Sequence, residues 1–459
     1  MRRTITLTII ATLFYGCISE DSTQEVIETL IIGGGLMGSS TAWHLSDQGN
    51  NILLLEKQDS IYTQGSILGE ARIARSSNRS SDIWSFLHNN KSVAETQRLI
   101  NYLQSETASP AYKIEDLYTT SPVTYVGRTK VYEQLHASLI RQNIDYQMAI
   151  TPEEGMSMFD VTLPDSVLIQ REYNKHSGTL NPHKLIAYLH KAIAKRGNKI
   201  YYNTEVTNVR FNEKSDLYEI EAKDSGTGSV RLFHAKNVIS AAGPYTGKLL
   251  KNVAPYFDTL INPQRVFLAF LKIKKADYQK LTNQEKEKIK SFYPVINSSK
   301  GTRDGSFFAM IEYFDEDSIP VIKIGGHFPR TEIDNMDKVW AKDLSVSEVA
   351  WSVTNTLEYF QLLNLSVSQD QIEYVNGYSC VYSLTGTEVP FVTPIFNEDN
   401  SPNERFIVLG GMSGVGAKGT MAYGLIAAHS LNKKSSNDSL YNVVKKALGV
   451  ERLKNELNN

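Results

Sequence analysis

The stretch from Glu28 to Glu56 constrains the fold more tightly than any other part of the chain. It runs apolar segment, three spaced glycines, helical segment, second apolar segment, acid. Glu28 to Ile32 is a short β-branched run that reads as a buried parallel strand. Gly33-Gly34-Gly35-Leu36-Met37-Gly38 follows, and Leu36 to Ser46 has helical spacing with Leu36, Ala42 and Leu45 on its buried face. Asn51 to Leu55 forms the next strand and ends at Glu56, 21 residues beyond Gly35. Each part has a task in dinucleotide binding. Gly33 permits the tight turn, Gly35 lets a pyrophosphate approach the backbone, and Gly38 lets the helix pack close to the strand. The helix N-terminus offers unpaired N–H groups to phosphate. Glu56 stands where a carboxylate accepts ribose hydroxyls, which argues against a 2′-phosphate. This unit alone does not separate FAD from NAD.

The rest of the composition narrows the alternatives. A chain of 459 residues suits two intertwined domains. The 48 basic and 50 acidic residues leave a net charge of −2, without the clustered basic excess of a nucleic-acid partner. Two cysteines, Cys17 and Cys380, exclude a disulfide framework and a thiolate-rich metal site, so no metal is expected.

The N-terminus reads as an export signal. Met1-Arg2-Arg3 is followed by an apolar stretch from Thr4 to Tyr15 and then Gly16-Cys17. A Cys directly after a small residue resembles the lipobox of bacterial lipoproteins, whose thiol is acylated. Residues 18–27 form a polar tether. The expected location is therefore the bacterial cell envelope, as a membrane-anchored lipoprotein of the outer membrane or periplasmic face, with Cys17 lipidated. The export route, Sec or twin-arginine, stays open.

Beyond Glu56 comes Gln64-Gly65-Ser66-Ile67-Leu68-Gly69-Glu70-Ala71-Arg72-Ile73-Ala74-Arg75. This Ser-x-x-Gly-x-x-Arg-x-x-Arg segment resembles the monomeric sarcosine oxidase branch of the D-amino-acid-oxidase-like FAD-dependent oxidoreductases, which includes N-methyltryptophan and pipecolate oxidases. The resemblance continues through Ser177 to Pro182, Lys236 to Tyr245, Asn376 to Tyr382 and Gly410 to Gly419. It implies an α/β chain (α+β overall) with a Rossmann-like FAD-binding domain and a discontinuous antiparallel β-sheet substrate domain. The expected FAD-binding domain comprises residues 28–106, 173–254 and 371–459, and the substrate roof residues 116–171 and 262–369. A solvated helix is expected from Lys275 to Phe292.

The resemblance also implies roles. Arg72 lies against the flavin, and Arg75 binds the substrate carboxylate, for which a guanidinium fork is well shaped. Cys380, in Asn376-Gly377-Tyr378-Ser379-Cys380-Val381-Tyr382, carries the flavin as an 8α-S-cysteinyl thioether, which requires a thiol near the ring and partly ionised. Lys323, in Lys323-Ile324-Gly325-Gly326-His327, activates oxygen, and His327 is a substrate-site histidine. Gly414 and Gly416 let backbone approach the isoalloxazine, and Lys418 is the second ligand of the substrate carboxylate. Leu68, Ala71 and Val415 depart from the His, Thr and His common at these positions. The implied enzyme is an FAD-dependent oxidoreductase acting on CH–NH or CH–NH2 donors. It oxidises a small amino acid or secondary amine to an imine and reduces oxygen to hydrogen peroxide. Two alternatives remain at this point: a dehydrogenase that passes electrons to a quinone or carrier, and a surface lipoprotein that binds ligand without turnover.

Overall fold

A computed structural model describes residues 25–65, 67–76, 82–105, 112–326, 331–333, 335, 336, 339 and 343–458. Cys17, its leader, most of the tether and His327 lie outside these residues.

The first strand, Val26–Ile32, and the second, Ile52–Leu55, pair in parallel, with the helix Leu36–Asp47 between them. Leu30, Ile31, Leu54 and Leu55 are almost wholly buried, as expected of strands covered on both faces. Lys199–Tyr201 extends the sheet beyond Ile52–Leu55. On the other side lies Val230–Ser240, the long third strand of an antiparallel meander formed with Thr204–Asn212 and Leu217–Asp224. This strand changes partners along its length. Val230 to Ala235 pairs with the meander, while Val238 to Ser240 pairs in parallel with the last core strand, Pro402–Gly410. Segments 168 residues apart, Val238 and Phe406, thereby pair.

The helix Gly416–Leu431 follows that last strand and is buried along most of its length. Small residues explain how closely it packs. A Cβ at Gly424 would sit 2.2 Å from the Ser40 hydroxyl, so only glycine admits the helix Leu36–Asp47 at this crossing. Asn181 caps the amphipathic helix Pro182–Lys195 on the same face by accepting from the Lys184 N–H at 3.0 Å.

The roof is a sheet of nine described strands, built mainly from Val123–Arg128, Val167–Glu172, Asn262–Ile273, Phe307–Phe314, Pro320–Gly326 and Ile372–Leu384. Its pairings are antiparallel except for Val295–Asn297, which runs parallel to Val123–Arg128. Two expectations need correction. The strand carrying Cys380 was assigned to the nucleotide domain, but Ile372–Leu384 pairs with Asn262–Ile273 along its whole length and belongs to the roof. The segment 275–292 is not one solvated helix. It divides into Lys275–Tyr278 and Asn283–Ser291, and Ile289 is fully buried in the roof core.

Candidate active site

A cavity of about 1290 Å³ runs from the glycine-rich turn to the underside of the roof. It exceeds the usual range for a small-ligand pocket and suits a dinucleotide together with a small substrate. Gly33, Gly35, Glu56, Arg72, Arg75, Lys323, Cys380, Gly414, Gly416 and Lys418 all line it. Gly38 stands behind the wall, where a Cβ would lie 1.8 Å from the Gly33 carbonyl oxygen.

At the nucleotide end, Gly33 has φ +94°, which favours glycine, and a Cβ at Gly35 would meet no atom within 4 Å. Backbone is thus bare where a phosphate would approach. The helix beginning at Leu36 has no side-chain cap at its N-terminus. Glu56 is buried, and burial pushes its carboxyl upward. Its two oxygens accept from the Gly34 N–H at 2.6 Å and the Gln58 N–H at 2.8 Å. A carboxylate has about four acceptor positions, so two remain for ribose hydroxyls. A second uncapped helix, Gly416–Leu431, opens on the other end of the cavity. Gly414, at φ +79°, passes against the Tyr382 ring, whose carbon atoms would lie 3.0 Å from an added Cβ. Bare backbone, two open helix termini and an acid at ribose position fit FAD.

The segment from Leu68 to Arg75 is held by the roof. Arg72 donates to the Leu68 and Ala71 carbonyls at 2.6 and 2.7 Å, and Tyr378 donates to the Leu68 carbonyl. Buried Glu312 accepts from the Glu70 and Ala71 N–H groups and forms an ion pair with Lys323. Lys323 also donates to the Ala71 carbonyl. Arg72–Ala74 then forms a short strand against Gly178–Leu180, and the Ser76 N–H donates to buried Glu172 at 2.5 Å. Arg75 is therefore fixed from both sides.

Three cations face the cavity in different states. Lys323 is fully buried. Desolvation and neighbouring Arg72 bring its ammonium down to about 7, against the opposing pull of Glu312. Lys418 also falls to about 7, through desolvation and then the charge of Arg75. Unlike Lys323, Lys418 makes no hydrogen bond or ion pair among the described residues; what exposure it has is onto the cavity. Arg75 and Lys418, 343 residues apart in sequence, thus form one cationic corner with no carboxylate assigned to Lys418.

Cys380 lines the cavity from the roof, but its ionisation departs from expectation. Burial raises the thiol to about 11, although Arg72, Lys323 and Arg265 each pull it down. The thiol is protonated in this environment, because desolvation outweighs the three cations.

Sequence reasoning missed Glu312, Tyr382 and His88. Glu312 was legible as a single acid inside the apolar strand Phe307–Phe314. Tyr378, Cys380 and Tyr382 alternate along one strand face and were available from period two. His88 lies in the π-helical turn Phe86–Lys91, packed between the Trp84 and Tyr423 rings, and nothing in its own segment flags it.

Residues 28–430 match the model of the family described as FAD dependent oxidoreductase. The chain is 24% identical over 414 residues to a probable sarcosine oxidase of Arabidopsis thaliana, covering 89% of this chain and 88% of the relative. A peroxisomal sarcosine oxidase of Homo sapiens is 22% identical over 228 residues, 50% of this chain and 53% of the relative. Among solved structures, the Tyr258Phe mutant of NikD, an unusual amino acid oxidase, superposes with a TM-score of 0.65 at 18% identity, over 91% of this chain and 96% of its own. The L-proline dehydrogenase of P. horikoshii superposes at 0.64 with 13% identity, over 94% and 99%.

Proposed function

The chain belongs to the FAD dependent oxidoreductase family, and on that premise we propose that it oxidises the C–N bond of a small amino acid or secondary amine to an imine, with oxygen reduced to hydrogen peroxide. Bound FAD supplies the two-electron acceptor and hands the electrons on to oxygen. The protein supplies orientation and charge. Gly33, Gly35, Gly38, Glu56, Arg72, Gly414 and Gly416 hold the cofactor, and Cys380 anchors it as a thioether. Arg75 and Lys418 bind the substrate carboxylate, and that fixed point positions the adjacent amine carbon. Lys323 presents positive charge where reduced oxygen develops negative charge. His327 completes the substrate site.

One observation carries this reading: Lys418, a cation on the cavity wall with no hydrogen-bond or ion-pair partner among the described residues, stands beside Arg75. Leaving a cation unpaired in a desolvated site is costly, and an anionic ligand offsets that cost. Anaerobic mixing of the flavoprotein with a panel of N-methyl, cyclic and primary amino acids tests it. At least one should bleach the flavin, and peroxide should accumulate in air. Bleaching without peroxide would favour a quinone or carrier as acceptor. Bleaching by none of the panel would remove the oxidase assignment. The sequence start further supports a lipid anchor at Cys17 in the cell envelope. Metabolic labelling with a fatty-acid probe, lost in Cys17→Ser, tests that separately.

A further inference from the structure

We propose that His88 is the group that accepts the proton of the substrate ammonium, through Nδ1, before the C–N bond is oxidised. The inference rests on the amine-oxidation reading above and adds a catalytic residue to it.

An α-amino acid enters mostly as its ammonium form at neutral pH, because amine pKa values lie above 7. The nitrogen must shed that proton before its lone pair can assist oxidation at the neighbouring carbon. The cationic corner is hostile to an ammonium group, so a neutral acceptor close by is required. His88 meets the geometric conditions. It is 5% exposed, lines the cavity, and packs between the Trp84 and Tyr423 rings at centroid distances of 5.8 and 6.0 Å. Backbone packs closely against the ring: a Cβ at Gly419 would lie 2.8 Å from its Cδ2.

Its two nitrogens differ. Nε2 lies 2.9 Å from the Tyr423 hydroxyl. Nδ1 makes no hydrogen bond among the described residues, and the ring lines the cavity. The titratable and charged groups that face this ring are Arg75, following the strand Arg72–Ala74, and Lys418 and Tyr423 on the helix Gly416–Leu431. Two cations favour the tautomer with a lone pair turned toward them, so Nδ1 is the acceptor and Nε2–H donates to the Tyr423 oxygen. Desolvation, then Lys418 and Arg75, holds the imidazole well below its usual range and hence neutral. A bound carboxylate offsets the two smaller causes, the charges of Lys418 and Arg75, and to that extent raises the affinity of the imidazole for a proton when substrate is present. The step is balanced: one N–H bond of the ammonium breaks, one Nδ1–H bond forms, and the positive charge passes from substrate to imidazole.

The test is stopped-flow reduction of the flavoprotein by saturating sarcosine, or by whichever amine of the panel reduces wild type fastest, from pH 6 to pH 10. His88→Ala and His88→Gln should both lose about 100-fold at pH 7, the lower end for general-base catalysis. Both should approach the wild-type rate as the pH rises toward 10, where a growing share of the amine is unprotonated. Gln keeps a hydrogen bond to Tyr423 but takes no proton, so equal loss in both variants separates proton transfer from packing. An unchanged flavin spectrum and acetate affinity establish that the site is intact. Tyr423→Phe removes the acceptor of Nε2–H and should move the acid limb by about one pH unit, which keeps the test valid if His88 variants fail to fold. A pH profile in His88→Ala that parallels wild type, or full rate in His88→Gln at pH 7, overturns the assignment alone. Failure of every amine to reduce wild type overturns it together with the oxidase reading.

Discussion

The affinity of the holoenzyme for a simple carboxylate should depend on pH through Lys418. In the absence of ligand its ammonium titrates at about 7, and Arg75 stays charged throughout. A carboxylate binds the charged form and stabilises it, so the complex keeps its proton to higher pH. Affinity is therefore full below pH 7 and falls as pH rises through that value. Apparent Kd should be almost flat near pH 6, about tenfold weaker at pH 8 and about 100-fold weaker at pH 9, or about 1.4 kcal/mol per pH unit. Acetate, read by its perturbation of the flavin spectrum, is a suitable probe because it offers no C–N bond. Lys418→Met should weaken acetate at pH 6 by roughly 2–4 kcal/mol and abolish the pH dependence. Lys418→Arg should bind acetate evenly from pH 6 to 9. Lys323 titrates over the same range, at about 7, so Lys323→Met is the control and should retain the wild-type profile. A pH-independent wild type, or a slope that survives in Lys418→Met, would refute the assignment of Lys418 to the carboxylate.

Lys323→Met should slow reoxidation by oxygen on the order of 100-fold while leaving reduction by amine within a few-fold, measured as separate half-reactions. Cys380→Ala should release all its flavin on denaturation, whereas wild type should keep a yellow, FAD-sized mass addition on the polypeptide. Forming such a thioether would release two electrons and two protons, to be passed ultimately to oxygen. Gly38→Ala should cost more than about 4 kcal/mol and abolish flavin uptake, since its methyl would overlap the Gly33 carbonyl; thermal unfolding and reconstitution check it.

What was legible in the sequence follows the range of the interactions. Gly33, Gly35, Gly38 and Glu56 sit in one unit whose chemistry is local, and the strand, turn and helix they punctuate formed within a residue or two of expectation. Lys323, Cys380 and Lys418 were found only because their flanking residues resemble a known pattern; no periodicity pairs residue 75 with residue 418. Properties that depend on surroundings were less legible. The strand Ile372–Leu384 has the same apolar alternation in either domain, and only its hydrogen bonding to Asn262–Ile273 assigns it to the roof. The Cys380 thiol was expected to be partly ionised because cations stand near it. They do, yet burial outweighs them and the thiol rises to about 11. Sequence names the neighbours but does not give the desolvation.

The same comparison divides labour among the cations. Arg72 is held by the carbonyls of Leu68 and Ala71, so it shapes the cavity wall. Lys323 and Lys418 are both brought down to about 7 by desolvation first, but their charged neighbours differ, and that difference supports the roles proposed for them. Lys323 has Glu312 against it at the buried cavity wall, so its positive charge is already compensated and a substrate carboxylate there would meet a second carboxylate. That arrangement suits a small neutral molecule that becomes negative only as it reacts, which is the case of oxygen. Lys418 has no such partner among the described residues and has Arg75 beside it, so an arriving anion would stabilise its charge. Exchanging the two environments would reverse the roles: Glu312→Gln should leave Lys323 uncompensated, lower its affinity for a proton further, and slow reaction with oxygen above neutral pH without changing acetate binding. A Glu312→Gln enzyme that bound acetate more weakly, yet reacted with oxygen at the wild-type rate from pH 6 to 9, would place the substrate at Lys323 instead.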